Sequence, residues 1–138
     1  MRVLGVDYGD KRTGLALSDP AGFMASGLYT ISADGKKQLA QKIAEIAKEK
    51  ECSQIVLGNP INMNGTAGER SEKAAAFAAL LEQYSGLKVV LYDERLSTAQ
   101  AHTYMNMTGT RGRSRKKTID TLSAQIILQS YLDAKGLK

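Results

Sequence analysis

The sequence predicts an α/β fold built on a mixed sheet, and three observations lead there. In the second half, short apolar runs with β-branched residues alternate with helix-length segments of 3.6 period, the pattern of parallel strands joined by right-handed helical crossovers. The first thirty residues instead hold three strand-like runs and no helical period, which calls for an antiparallel edge. The chain has 138 residues, 43% of them hydrophobic and only 2 prolines, a size and composition that support one core and no second domain of comparable size.

The elements follow in order. Arg2 to Asp7 and Thr13 to Ser18 are apolar runs separated by the polar turn Tyr8-Gly9-Asp10-Lys11-Arg12, so they form a hairpin. Gly27 to Ile31 follows a loop around Pro20 and Gly22 and completes a meander. From Lys36 to Glu49, Leu39, Ile43 and Ile46 recur at helical spacing with alanines beside them, which predicts the first helix. Gln54 to Gly58 is a buried-type strand, and the Gly- and Asn-rich stretch from Asn59 to Gly68 opens a second helix over about Glu69 to Tyr84. On that helix Phe77, Leu80, Leu81 and Tyr84 are most simply core. Lys88 to Tyr92 is the fifth strand. Ser97 or Thr98 can cap a short helix to about Met107, a basic loop follows, and a last helix runs from Ile119 to about Ala134 with Thr118 as its cap.

Composition excludes several classes of function. The longest purely apolar run, Ala74 to Leu81, is eight residues, against the roughly 20 of a membrane-spanning helix. Val3 to Val6 meets an acid at Asp7, which leaves no signal-peptide core, and the expected location is the cytoplasm. Cys52 and His102 are the lone cysteine and histidine, too few for a disulfide or a Cys/His zinc site, so any metal must be oxygen-liganded, such as Mg²⁺ or Mn²⁺. No role falls to His102.

The net charge of +5 is localised. Thr108 to Thr118 holds five of the 19 basic residues, Arg111, Arg113, Arg115, Lys116 and Lys117, and none of the 14 acids, so the remainder is balanced. Such a segment is either a solvated loop or an arm for a phosphate backbone held through counterion release.

In open α/β sheets, sites form beyond the carboxyl ends of parallel strands, here after residues 7, 58 and 92. Asp7 closes the first strand, Asp93-Glu94 closes the last, and Asp120 lies in the first turn of the final helix, on the border of an apolar face of Ile119, Leu122 and Ile126. Each acid alone also fits a structural role as turn-former, solvated strand end or favourable charge at a helix start. Together they would bring like charges close, which is unfavourable unless cations neutralise them. Two divalent ions can do so while activating a water and clamping a phosphodiester.

The segments VDYGDKRTGLALSD, VLGNPINMNGTAGER, YDERLSTAQA and IDTLSAQIIL resemble the four signature blocks of the YqgF (RuvX) family, nucleases of the ribonuclease H-like and Holliday-junction-resolvase-like superfamily. The resemblance runs from Arg2 to about Leu132. It implies a ribonuclease H-like fold with five-stranded sheet order 3-2-1-4-5 and strand 2 antiparallel, bacterial cytoplasmic location, and work on the 5′ end of precursor 16S ribosomal RNA during ribosome biogenesis. It also implies metal-dependent hydrolysis through Asp7, an acid of the Asp93-Glu94 pair, and Asp120. One departure from resolvases stands out: they carry their second acid at the end of the fourth strand, where this chain has Gly58-Asn59-Pro60. The substitute comes from the fifth strand, about 5 Å further across the sheet. The longer Glu94 is the favoured ligand and Asp93 the second choice.

Other residues of these segments suit substrate binding. Gly9 lets a phosphate approach the backbone, and Lys11 and Arg12 on the same turn can contact its oxygens, though an ordinary glycine turn with solvated cations fits as well. Asn62, Asn64, Gly65, Thr66 and Gly68 lead into a helix N-terminus, either an anion site or a merely flexible loop. Arg70 and Arg95 can meet phosphates or pair with nearby acids. Tyr8 is the one tyrosine placed to stack on a base, so recognition should rest on structured RNA rather than base sequence. The expected partners are precursor rRNA and ribosomal particles, with branched DNA as an alternative, for a monomer or weak homodimer. The competing functions are a four-way-junction DNA resolvase, which needs two active sites, and a non-catalytic RNA-binding factor. An ATP-using relative of the actin and sugar-kinase group ranks last, because the chain has room for only one of its two lobes.

Overall fold

The computed structural model describes residues 2–9, 11–59, 68–93 and 112–136, with backbone alone for 69–70, 112–120 and 136. Three strands open the chain: β1 (Arg2–Asp7), β2 (Thr13–Ser18) and β3 (Ala25–Ile31). They pair antiparallel, β1 with β2 and β2 with β3, as a meander. Helix α1 (Lys36–Glu49) has the bounds its apolar period predicts. It is followed by β4 (Cys52–Asn59), α2 (Glu69–Ser85), β5 (Lys88–Asp93) and α3 (Gly112–Gly136). Strands β4 and β5 extend the sheet in parallel from β1, and its order is β3-β2-β1-β4-β5.

The last helix differs from the sequence expectation. It begins at Gly112, not Ile119, so Thr118 lies inside it, and Arg113, Arg115, Lys116 and Lys117 ride on helical backbone instead of a loop. The physical reason is propensity: Arg and Lys are good helix formers, and nothing β-branched interrupts residues 112–117. The short helix expected over 97–107 lies outside the described residues.

The pleat sorts side chains into two cores, one on each face. Leu4, Val6, Leu15, Ile55 and Leu57 pack with Ile43 of α1 and with Phe77 and Leu81 of α2. Val3, Ala16, Ala25 and Val56 pack with Ala124, Ile127, Leu128 and Leu132 of α3. Each fully buried Leu or Phe contributes about 1.5–3 kcal/mol. The α3 stripe therefore centres on Ala124, Ile127 and Leu128, while Ile126, expected on that face, is half-buried. The α3 side of the sheet is lined by small residues, and Gly5 is the tightest point: a Cβ there would lie 2.8 Å from Leu128 Cβ and 3.2 Å from the Ala124 carbonyl oxygen. No described helix is long and apolar enough to cross a membrane.

Candidate functional site

The carboxyl ends of β1, β4 and β5 form one edge of the sheet. Val6 pairs with Leu57 across β1 and β4, and Asn59 pairs with Asp93 across β4 and β5, which sets Asp7 level with Gly58 and Tyr92. Asp7 is half-buried. It follows Val3 and Gly5 on alternate positions, so the pleat directs it to the α3 face.

The same alternation places Asp93, the second choice of ligand. Tyr92 faces α3: its hydroxyl shares a 2.8 Å hydrogen bond with Ser130 Oγ, and its ring meets Tyr131 edge to face at 6.0 Å. Asn59 faces α2, where its Oδ1 accepts a 2.7 Å hydrogen bond from Ser71 Oγ. Asp93, next to Tyr92 and level with Asn59, is thus on the α2 face, across the sheet from Asp7 and two strand spacings, about 10 Å, along it. Glu94 lies outside the described residues. The Asn59 side chain is spent on tying the strand tip to α2.

Helix α3 runs antiparallel to β1. Leu128 and Ala124 cross Gly5, while Thr121 lies beside Gly27. Asp7 is two residues beyond Gly5, an advance of about 6.6 Å. Position 120 is four residues before Ala124, an advance of about 6 Å in the same direction. The backbones carrying Asp7 and Asp120 therefore reach the same level of the α3–sheet interface; the Asp120 side chain lies outside the described residues. Among the described residues, no group of three His, Cys, Asp or Glu is gathered that could hold a metal. Of Asp7, Glu94 and Asp120, Asp7 is the one whose side chain is described, and its hard oxygen at a strand tip is of the type Mg²⁺ and Mn²⁺ take.

The turn after β1 departs from expectation in two ways. A Cβ on Gly9 would collide with the Arg12 carbonyl oxygen, so glycine is required there by the path of the chain itself, whether or not a phosphate approaches. The Tyr8 ring is stacked on Phe77, with centroids 4.2 Å apart and planes within 5°. One face of the ring expected to meet a base is therefore already covered. Lys11 is exposed and Arg12 half-buried. Beside this turn opens a recess of about 270 Å³ to which Lys36 of α1 and Lys73 of α2 also contribute, two residues that no spacing in the sequence connects to it.

Of the remaining predicted residues, Asn62, Asn64, Gly65, Thr66, Arg95 and Arg111, like His102, lie outside the described residues. Arg70 is the second residue of α2, and Arg113, Arg115, Lys116 and Lys117 occupy the first turns of α3. The larger cavity, about 800 Å³, is at the opposite end of the sheet, lined by Arg2, Lys48, Lys50, Cys52 and Tyr84 among others. Burial pushes the Cys52 thiol up to about 11, against the opposing pull of Arg2 and Lys50. Such a thiol is no nucleophile.

Sequence comparison decides the family, because residues 1–134 match RuvX, described as Holliday junction resolvase. The chain belongs to the RuvX family. A protein of Ruminiclostridium cellulolyticum named "Putative pre-16S rRNA nuclease" is 45% identical to it over 134 residues, covering 96% of this chain and 94% of that one. A Geobacillus protein of the same name is 46% identical over 137 residues, 98% and 99% of the two chains. Among solved structures, T. thermophilus RuvC in complex with Holliday junction substrate superposes with a TM-score of 0.59 at 15% identity, covering 99% of this chain and 96% of that one. Fowlpox virus resolvase in complex with Holliday junction DNA does so at 0.60 and 14%, covering 98% and 99%. At these identities the likeness is one of fold, and the RuvX chain has the ribonuclease H-like architecture its sequence motifs imply.

Proposed function

We propose that this RuvX-family chain is a metal-dependent nuclease that processes the 5′ end of precursor 16S rRNA in the cytoplasm, recognising structured RNA as a monomer or weak homodimer. The observation that carries it is Asp7, on a parallel-strand tip and on the α3 face, at the same level as position 120. That position continues the α3 stripe of Ala124, Ile127 and Tyr131 by one helical turn. RuvX relatives named as pre-16S rRNA nucleases at about 45% identity supply the substrate.

Asp7, Glu94 and Asp120 would hold Mg²⁺ or Mn²⁺; Glu94 is preferred to Asp93, whose position falls on the face opposite Asp7. The ions supply charge neutralisation at the scissile phosphodiester and a more acidic water. Lys11 and Arg12 bind phosphate oxygens beside Asp7. Arg113, Arg115, Lys116 and Lys117, carried on the helix that also bears Asp120, hold the strand with Arg111. Arg70, Arg95 and the 62–66 segment with Asn62, Asn64 and Thr66 complete the binding surface.

The test is Asp7→Asn assayed on a precursor rRNA fragment with Mn²⁺. Cleavage should fall by more than about 100-fold, the upper range for disturbing a site's outer shell alone, with folding intact. Full retained activity would remove Asp7 from the mechanism. The fold shared with resolvases keeps one second reading open, cleavage of four-way DNA junctions; it requires a dimer on the junction, and a monomer by light scattering there sinks it. Absence of carboxylate-dependent Mn²⁺ binding would leave an RNA-binding factor.

A further inference from the structure

We infer that the loop between β2 and β3 is a docking surface for another protein, and that it takes a segment in which apolar side chains are mixed with lysine or arginine. Phe23 and Met24 on this loop are 70% and 65% exposed, the most exposed large hydrophobic side chains among the described residues. Their backbone is held in place. Asp19 Oδ1 accepts from the Phe23 amide at 2.8 Å and from the Met24 amide at 3.0 Å, the Asp19 amide donates to the Met24 carbonyl at 3.0 Å, and Gln129 Nε2 of α3 donates to the Phe23 carbonyl at 2.9 Å. Every main-chain polar group of the two residues thus has an internal partner. Gly22, at φ 80°, closes the turn with a hydrogen bond from its amide to the Asp19 carbonyl.

Neither side chain belongs to a core cluster, and leaving both in water forgoes the gain that burial brings. A partner supplies that burial, and charge selects its chemistry. Asp133, exposed on α3, accepts at 2.9 Å from the same Gln129 nitrogen that holds the Phe23 carbonyl, so its carboxylate lies beside the knob, as does that of Asp19. Hydrogen bonds from the Met24 and Phe23 amides hold Asp19 below the usual carboxylate range, so its charge persists at neutral pH. Arg2 borders the loop at Pro20, with its guanidinium turned to the Lys50 carbonyl at 3.5 Å. Two carboxylates repel RNA phosphates and anionic lipid headgroups and attract lysine and arginine.

Area argues against a second copy of this chain as the occupant. Two side chains of this size, exposed to this degree, offer on the order of 250 Å², against roughly 800 Å² per partner in a stable interface. The neighbouring β3 edge does not enlarge it by strand pairing. Gly27 to Thr30 of β3 lies opposite the shorter stretch Ala16 to Gly14 of β2, and the resulting bulge breaks the ladder that a second strand would extend. A short segment fits, with an apolar side chain against Phe23 and Met24 and a cation at the carboxylates. Position suits this role: the Val3 amide donates to Ser18 Oγ at 2.7 Å, so the loop starts at the N-terminal end of β1, at least about 13 Å from Asp7 along the strand. A protein held there leaves the carboxyl edge of the sheet open to RNA.

The experiment puts a photo-reactive side chain on the knob, Met24→p-benzoylphenylalanine in the full chain, and irradiates it with purified small-subunit precursor particles and, separately, with naked precursor rRNA. Adducts on the particle should map to a lysine- or arginine-rich segment of a protein. Phe23→Ser with Met24→Ser, two exposed changes, should lower co-sedimentation with the particle by at least about tenfold. Asp133→Lys should lower it as well, and both variants should cleave naked rRNA at the parent rate. Adducts to RNA, to a second copy of this chain or to nothing overturn the docking surface, and so does a serine variant that co-sediments like the parent. An Asp133→Lys variant that binds like the parent overturns the basic partner. The particle as the source of that partner rests on the rRNA-processing reading, which fails separately. A parent chain that cleaves no precursor rRNA while its protein adducts persist loses the nuclease role and keeps the surface; absent adducts with cleavage intact do the reverse.

Discussion

The phenol ring of Tyr8 lies flat on the ring of Phe77, 4.2 Å between centroids. Tyr8 is the first residue past the candidate catalytic aspartate, and Phe77 is the fully buried centre of α2. The stack thereby ties the tip of β1 to a helix on the far face of the sheet, and the aspartate inherits its rigidity from that core.

Phe77→Ala should therefore do two things. Removing a fully buried ring costs about 3–5 kcal/mol, read by guanidinium unfolding. It should also weaken the near-ultraviolet circular dichroism of Tyr8, because the phenol loses its fixed partner. Phe77→Leu should keep most of the stability and still lose the tyrosine signal.

Gly5→Ala tests the α3–sheet contact. The added methyl would sit 2.8 Å from Leu128 Cβ, so the helix must back away, at about 1–3 kcal/mol for overpacking. Because Asp7 and Asp120 belong to the two elements pushed apart, cleavage by the remaining folded protein should fall by more than the loss of folded population. An activity loss equal to the loss of folded protein would show that the contact is structural only.

Chelation should abolish cleavage and leave the fold standing. Both cores are hydrophobic clusters that include none of the expected ligands, so EDTA should leave the thermal midpoint within a few degrees, and added Mg²⁺ or Mn²⁺ should restore activity. Unfolding on chelation would mean the ion is structural.

Cys52 offers a pH prediction far from the site. Burial raises its pKa from 9.0 to about 11, so below pH 9 the thiolate fraction is about 100-fold lower than for a free thiol, and alkylation at pH 8 should be slowed accordingly relative to the unfolded chain. The sign for stability follows. The folded pKa is above the unfolded one, so the protonated thiol's contribution is complete below about pH 9 and is lost as pH rises through about 11. Cys52→Ala should flatten that part of the stability–pH curve.

Local chemistry made most of the fold legible. The period of α1, the meander of β1 to β3 and the tips bearing Asp7 and Asp93 all follow from side-chain alternation and helical spacing, which act over a few residues. The run of charges from Arg113 to Lys117 carries no apolar period and so reads as a loop, although Arg and Lys favour helix and α3 begins at Gly112. Gly9 looked like a phosphate glycine, and only the folded turn shows the Arg12 carbonyl that forbids a Cβ there.

By itself the sequence determined the kind of chemistry: four motif segments in order, oxygen ligands in place of Cys and His, and an excess of positive charge confined to one stretch. Tertiary structure decided which groups act together. The pleat puts Asp93 on the face opposite Asp7, a distinction that depends on counting register through Tyr92 and its contact with Ser130. The recess joining Lys11, Lys36 and Lys73 exists only after two crossover connections bring three distant segments to one sheet edge. Residue types follow from composition and spacing, but proximity across a sheet comes from long-range packing, and no local pattern encodes it.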